Sequence, residues 1–212
     1  MKTLFLASAS PRRREILAGL GLPFSSVVHE VDERVFDHRE PAARVLDLAL
    51  AKAENCVSKL AAHGDAVVLA ADTLVCDPLP WDPAMNLFKD DSGAVTLGKA
   101  RDRGEAARMM ALLSGRTHVV HTGLALVDLE TKRRETAIST SRVSFAALSG
   151  IEIETYLDSG EWEGVAGAYR VQGLAALFIE RIEGSWSGIV GLPIHELYAT
   201  LSRLGLELSS FR

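Results

Sequence analysis

Residues 4–17 read LFLASASPRRREIL. Four apolar positions give way to small hydroxyl residues, then to Pro11 and three consecutive arginines. Leu4–Ala7 is a strand candidate, and Ser10-Pro11 opens a helix with a hydroxyl at the N-cap and proline in the first turn. A strand running straight into a helix is the opening of an α/β unit, and alternating strands and helices follow it along the chain. The same stretch poses an electrostatic question. A helix N-terminus already carries partial positive charge, so Arg12, Arg13 and Arg14 need a compensating partner there. Two readings stand: a capped helix with a solvated basic face, or a strand–helix turn whose N–H groups, hydroxyls and guanidinium forks hold a phosphate.

Composition narrows the class of ligand. The chain has 212 residues, 48% hydrophobic and 24% charged, with a formal net charge of −5. That is an ordinary globular mixture, enough for one large domain or two packed lobes. An acidic chain lacks the basic footprint of a nucleic-acid binder, so the local basic cluster fits a small anion and no nucleic-acid partner is expected. Cys56 and Cys76 have neither a CxxC spacing nor a ligand cluster around them, which fits a reducing compartment. The opening MKTLFLAS is too short for a signal-peptide core, and no apolar run approaches the ~20 residues of a membrane span. The expectation is a cytoplasmic protein without a membrane partner.

Further elements follow from spacing. Phe24–Val28 reads as a second strand. Pro41–Leu60 has helical spacing at Val45, Leu48, Ala49 and Lys52, with a stop at His63-Gly64. Ala66–Ala71 is a continuous apolar run, as in a strand buried on both faces. Residues 76–96 hold three prolines, four aspartates and no period, and read as a surface excursion. Arg101–Leu113 is a helix, Thr117–Leu129 and Ala137–Phe145 a strand pair around ETKRRE, Ile151–Leu157 a short helix, Gly167–Ile182 the site of another strand, and Ile194–Leu204 a closing helix. The class is α/β, a twisted mixed β-sheet flanked by helices, with a cleft between two lobes.

Several motifs compete for the chemistry. Gly93–Lys99 matches G-x-x-x-x-G-K, but Ala100 stands where a P-loop needs Ser or Thr, and KDDS precedes it instead of a buried strand. Lys99 remains a lysine at a helix entry. Asp72, in AADT at the end of the apolar run, falls where α/β sheets bind ligands; it suits a metal ligand or a proton acceptor, or a turn aspartate. Asp32 and Glu33 offer further carboxylates or a solvated acidic loop. Lys52 lies on the apolar side of its helix, where an ordinary lysine would face water. His118 and His121 have opposite parity on a strand and lack a third metal ligand, so both read as structural. The glycine-rich 164–173 and 184–193 imply tight turns beside a cleft or purely structural turns. No serine stands in a G-x-S-x-G context.

Taken in order, LASASPRRREIL (6–17), VDE (31–33), LALAKAE (48–54), AADT (70–73), LGKARD (97–102), AARMMALLSGRTHVVHTGLAL (106–126), GEWEGVAGAYRVQG (160–173) and IEGSWSGIVGLP (182–193) resemble the Maf family of nucleoside triphosphate pyrophosphatases over nearly the whole chain. The resemblance implies one Maf-like domain over 1–212 with an ITPase-like, two-lobed fold, often dimeric. It implies hydrolysis of a nucleoside triphosphate to monophosphate and pyrophosphate with a divalent cation, Mg²⁺ or Mn²⁺. It implies Asp72 as proton acceptor and metal ligand with Glu33, Ser8, Arg12 and Arg13 on phosphates, and Lys52 and Lys99 neutralising the leaving pyrophosphate. Arg12, Thr73 and Gln172 match the subgroup acting on dTTP and UTP; the 7-methyl-GTP subgroup carries glutamate in place of the glutamine. The chain departs from the family at 76–96, which is longer, at Ala100 in place of proline, and at 164–165, where a D-K pair is lost while Arg170 is gained. The same reaction on 7-methyl-GTP or another modified nucleotide, and a nucleotide-binding regulator of septum formation, are the rival expectations.

Overall fold

The structure is a computed structural model that describes residues 1–80, 84 and 88–211. Its elements run β1 (Thr3–Ala7), α1 (Pro11–Gly19), β2 (Ser25–Val27), α2 (Pro41–Val57), β3 (Ala66–Leu79), β4 (Thr96–Leu97), α3 (Arg103–Leu113), β5 (Thr117–Asp128), β6 (Arg134–Phe145), α4 (Gly150–Asp158), β7 (Ile179–Glu183), α5 (Trp186–Val190) and α6 (Ile194–Leu204). Among the described residues seven strands form one mixed sheet in the order β2-β1-β3-β5-β6-β7, with β4 on the far half of β3. β1 is parallel to β2 and β3; the remaining pairs are antiparallel.

The third strand decides where the site falls. β1 pairs with it only from Thr3↔Ala66 to Leu6↔Leu69. β5 keeps pairing from Val67↔Asp128 to Leu79↔Thr117. β3 therefore outruns β1, and the strand expected to stop at Ala71 continues for eight further residues. Asp72 sits inside the strand, not at its end, just past the point where β1 has stopped. The sequence hid this because DTLVCDPL is broken by polar residues and Pro78, and the ladder does shift register between Cys76 and Leu79. The first residues of the 76–96 excursion are thus sheet, as is its return in β4; its outer part at 81–83 and 85–87 lies outside the described residues.

Alternation along the strands separates two cores. Leu4, Leu6, Val67, Leu69, Leu124 and Leu126 point to one face, against Leu17 of α1 and Leu197, Leu201 and Leu204 of α6. Phe5, Val68, Ala70, Ala125 and Val127 point to the other, against Ala49, Ala53 and Cys56 of α2. A third core gathers Leu97, Met109, Met110, Leu113, Tyr156 and Tyr169 around the far halves of β3, β5 and β6. The first two cores build one lobe and the third the other, and a cleft of about 630 Å³ opens between them, with Leu48 of α2 on one wall and Met109 and Tyr169 on the other.

Local differences have local causes. β6 starts at Arg134 because Val127↔Arg134 and Leu126↔Glu135 extend the hairpin into the charged turn. Most of 167–182 is turn and 3-10 structure, and only Ile179–Glu183 pairs with β6. The 184–193 segment holds the short helix α5, capped by Ser185 Oγ accepting from Gly188 N. Cys56 and Cys76 are free and buried. Among the described residues no helix is long and apolar enough to cross a membrane.

Helix α2 lies directly on β5. A Cβ at Gly123 would stand 2.2 Å from the Val45 carbonyl oxygen and 2.7 Å from Leu46 N, backbone atoms that cannot rotate away. Gly123→Ala should therefore lift α2 off the sheet and destabilise the protein by about 3 kcal/mol or more, read from urea unfolding; a loss under about 0.5 kcal/mol, the level of an ordinary surface change, would mean that the contact is not tight.

Candidate active site

Asp72 has the parity of Val68 and Ala70 and so faces α2. On that helix Val45, Leu48, Ala49, Lys52, Ala53 and Cys56 form the buried stripe. Lys52 is therefore turned inward despite its charge, with only 4% of its surface exposed. Its ammonium donates to Asp72 Oδ1 at 2.6 Å and reaches Glu33 Oε1 at 2.6 Å. Glu33 begins the short 3-10 turn 33–36, capped by Asp32 Oδ1 accepting from Arg34 N. Asp32 itself is taken up by the Arg34 guanidinium at the surface. Burial pushes the Glu33 carboxyl up, but the hydrogen bond and charge of Lys52, with Lys99 and His29 nearby, hold it below the usual carboxylate range.

Thr73, one residue on, faces the opposite side of the sheet. Its Oγ1 accepts from Thr122 Oγ1 at 3.0 Å and from Arg13 Nη2 at 3.2 Å. Arg13 also donates through Nη1 to Ser8 Oγ at 3.3 Å and through Nε to the Gly191 carbonyl at 2.7 Å. Gly191 ends α5 at φ 121°, a conformation other residues rarely adopt. Ser8 is buried, and its Oγ accepts from Ser10 N at 3.1 Å; it lies behind Arg13 and not among the cleft-lining residues. Ser10, read as a hydroxyl cap, makes no side-chain cap bond: Ser8 has taken that part.

Arg12, Arg13, Glu33, Lys52, Asp72, Thr73, Lys99 and Gln172 all line the cleft. Lys99 is held there by its bridge to Ala166, while Gly167 N donates to the Leu97 and Gly98 carbonyls at 2.9 and 3.0 Å. The glycine-rich 164–173 turn is thus stitched to the G-K segment, and both lobes contribute cations to one space. Gln172 is exposed in the cleft.

The structure adds residues that motif reading passed over. Arg44 lies eight residues before Lys52 on α2, ion-pairs with Asp37 and stands 4.0 Å from Asp90 of the excursion. Its spacing with Leu48 and Lys52, one helical turn at each step, was the available signal; Asp90 had none. His29 approaches the Lys52 cluster, its Nδ1 buried without a partner among the described residues, and burial with the Lys52 charge lowers its pKa. His118 is a core residue: Nε2 lies 2.8 Å from Tyr169 Oη, and burial pushes its pKa down to about 3, so it stays neutral. His121, on the other face, meets Thr140 Oγ1 at 2.9 Å.

Whether the carboxylates suit a divalent cation can be judged from Lys52. Asp72 and Glu33 already share one cation between them, the ammonium. Among the described residues no set of three or more His, Cys, Asp or Glu side chains is arranged to hold a metal. Two carboxylates completed by water and substrate phosphate oxygens is the usual manner of Mg²⁺, so the pair fits an ion that arrives with its substrate.

An α/β sheet whose cleft sets two carboxylates and a buried lysine opposite a bank of arginines is the frame of a protein that handles phosphate-bearing small molecules. The chain belongs to the Maf family: the family model described as Maf-like protein matches residues 3–204. A dTTP/UTP pyrophosphatase of Moorella thermoacetica is 44% identical over 209 residues, 98% of this chain and 98% of the relative. One of Treponema denticola is 42% identical over 205 residues, 96% and 97% of the two chains. One of Myxococcus xanthus is 43% identical over 205 residues, 97% and 94%.

Because the fold lowers the Glu33 pKa, its ionised form stabilises the protein above the unfolded value of about 4.3, and that contribution is lost as pH falls through the lower folded value. The cost of Glu33→Gln in urea unfolding should accordingly be full at pH 7 and fade below about pH 4.3. A penalty that stays the same down to pH 3 would show that the ion pair with Lys52 contributes nothing.

Proposed function

We propose that this protein hydrolyses dTTP and UTP to the monophosphate and pyrophosphate, acting in the cytoplasm as a divalent-cation-dependent nucleoside triphosphate pyrophosphatase. The single observation that carries the reading is the Lys52 ammonium between Asp72 and Glu33 on the floor of a cleft rimmed by arginines. Family membership and the activity for which the relatives are named support these substrates.

The residues divide the reaction among them. Arg12 and Lys99 meet the phosphate chain, and incoming phosphate charge offers Lys52 a partner that competes with Asp72. Asp72, released from the ammonium, takes a proton from water as the water oxygen bonds to the α-phosphorus. The bond from that phosphorus to the oxygen bridging to the β-phosphate breaks, and pyrophosphate leaves with the bonding electron pair. Lys52 and Lys99 offset the charge that develops on the leaving oxygen. Asp72 and Glu33 would hold Mg²⁺ or Mn²⁺, which when bound would supply Lewis-acid neutralisation of the phosphates. Arg13, whose bonds all run to protein groups, keeps Thr73 and the Ser8 turn in register. Gln172 offers both a donor and an acceptor to a pyrimidine edge, and a base that leaves them unpaired is disfavoured.

Pyrophosphate release from dTTP, UTP, 7-methyl-GTP and the purine triphosphates, with Mg²⁺ or Mn²⁺, tests this. Turnover should favour dTTP and UTP, and Asp72→Asn should lose about 10²–10⁴-fold in kcat with folding intact by circular dichroism. Preference for 7-methyl-GTP would overturn the role of Gln172. Binding of nucleotide without any release of pyrophosphate would leave a regulator and refute the enzyme.

A further inference from the structure

Arg170 lines the same cleft as Arg12 but belongs to neither the Lys52 cluster nor the Arg13 network. It follows the buried Tyr169, and its backbone N–H donates to Tyr156 Oη at 3.3 Å, so its position is set by the third core. Its guanidinium is short of partners. Among the described residues it makes one long hydrogen bond, Nη2 to the Glu163 carbonyl at 3.4 Å, and its buried Nε meets no acceptor there. Arg12 is in the same condition, with one 3.4 Å contact from Nη2 to the Gly164 carbonyl. Consecutive carbonyls of one exposed loop therefore hang two guanidinium groups side by side. The two repel: burial and the Arg170 charge both lower the Arg12 pKa, and only Glu15 opposes them. Neither arginine forms an ion pair with a carboxylate among the described residues.

Two adjacent, under-bonded guanidinium groups with no carboxylate between them make a receptor for a multiply charged oxyanion, because each planar fork can take two phosphate oxygens. Position along the cleft chooses which oxyanion. Asp72 is 8% exposed, on the floor, whereas Gly164 and Glu163 are exposed at the rim. If the α-phosphorus meets Asp72, the rim meets the far end of the phosphate chain, where the charge is greatest. The stretch GEWEGV at 160–165 carries no cation of its own, and Arg170 supplies one from across the turn.

The geometry points to Arg170 as a substrate-binding residue that, with Arg12, clasps the β,γ-pyrophosphate portion of the substrate and the pyrophosphate product. This rests on the pyrophosphatase reading for the identity of the substrate, but not for the anion site itself.

The test is calorimetric binding of inorganic pyrophosphate and of thymidine monophosphate to the full chain, native and as Arg170→Gln and Arg170→Lys, with KM and kcat for dTTP alongside. Arg170→Gln should weaken pyrophosphate by about 10- to 100-fold, the size of a lost charge-assisted bond. It should raise KM for dTTP by a similar factor, make that KM less sensitive to salt, and leave the monophosphate within about twofold, inside the spread of contacts that carry no charge. Arg170→Lys should fall between, keeping the charge without the fork. Unfolding midpoints equal to the native protein's exclude a folding defect, and the lysine variant carries the comparison should the glutamine variant fail to fold. Unchanged pyrophosphate affinity in both variants, or a loss confined to the monophosphate, would overturn the assignment. Since inorganic pyrophosphate needs no turnover, a native protein that binds it through Arg170 yet hydrolyses no triphosphate would sink the enzymatic reading alone; one that hydrolyses dTTP while Arg170→Gln binds pyrophosphate normally would sink this one alone.

Discussion

Everything in the cleft depends on an ammonium buried between two carboxylates. Lys52 is almost wholly out of water, and a charge so placed costs several kcal/mol unless its partners are well aligned. Alignment comes from two rigid elements. β3 presents Asp72 through strand parity, and α2 presents Lys52 through helical spacing. The distance between them is set by how closely α2 lies on the sheet, which is why the backbone of Val45 meets a glycine on β5. Well-packed apolar residues in place of a buried ion pair are often as stable, so the buried Lys52–Asp72 charges are consistent with the chemistry proposed for them.

The mismatch in strand length turns that triad into a site. Had β1 continued beside β3, Asp72 and Thr73 would have been covered on that side by another strand. Because β1 stops at Ala7 and turns into α1, the β1–α1 turn and the exposed flank of β3 face one another across an open space. Successive residues on β3 then serve opposite faces: Asp72 joins α2 and Lys52, while Thr73 joins Arg13, Thr122 and the end of α5. The second lobe closes the far wall through the backbone bonds between Leu97–Gly98 and Gly167, so Lys99 and Arg170 enter the cleft on segments anchored to a separate core.

Much of this was legible in the sequence, and the parts that were not share a cause. Continuous apolar runs and helical spacing place β1, α2, the first half of β3, β5 and α6 because burial there follows from the residues themselves. The second half of β3 was not legible, since its strand character comes from pairing with β5 and not from its own polar, proline-bearing sequence. Lys52 looked out of place on an apolar stripe, and that anomaly was informative: a lysine turned inward has to meet carboxylates. Ser8 and Ser10 could not be told apart, because which hydroxyl closes the turn depends on a three-residue backbone geometry. Asp90 and Arg170 reach the cleft, and His29 the vicinity of Lys52, through the tertiary path of loops, which no spacing rule encodes.

The three arginines at the mouth of α1 can now be separated by their bonds. Arg13 commits each of its three nitrogens to a different segment, so it acts as a cross-brace between the β1–α1 turn, β3 and α5, with one N–H left on each Nη at the cleft. Arg14 folds back on its own loop, donating to the Ala9 carbonyl at 3.3 Å. Arg12 has a single contact of 3.4 Å, and its neighbour in the cleft is another cation. A helix N-terminus, a like charge and partial burial all disfavour a cation at that point. Among the described residues only Glu15 opposes them, so an anion in the cleft would supply the larger favourable interaction. An anion carrying more than one charge would offset the like charge and the helix dipole together, as the proposed triphosphate substrate would.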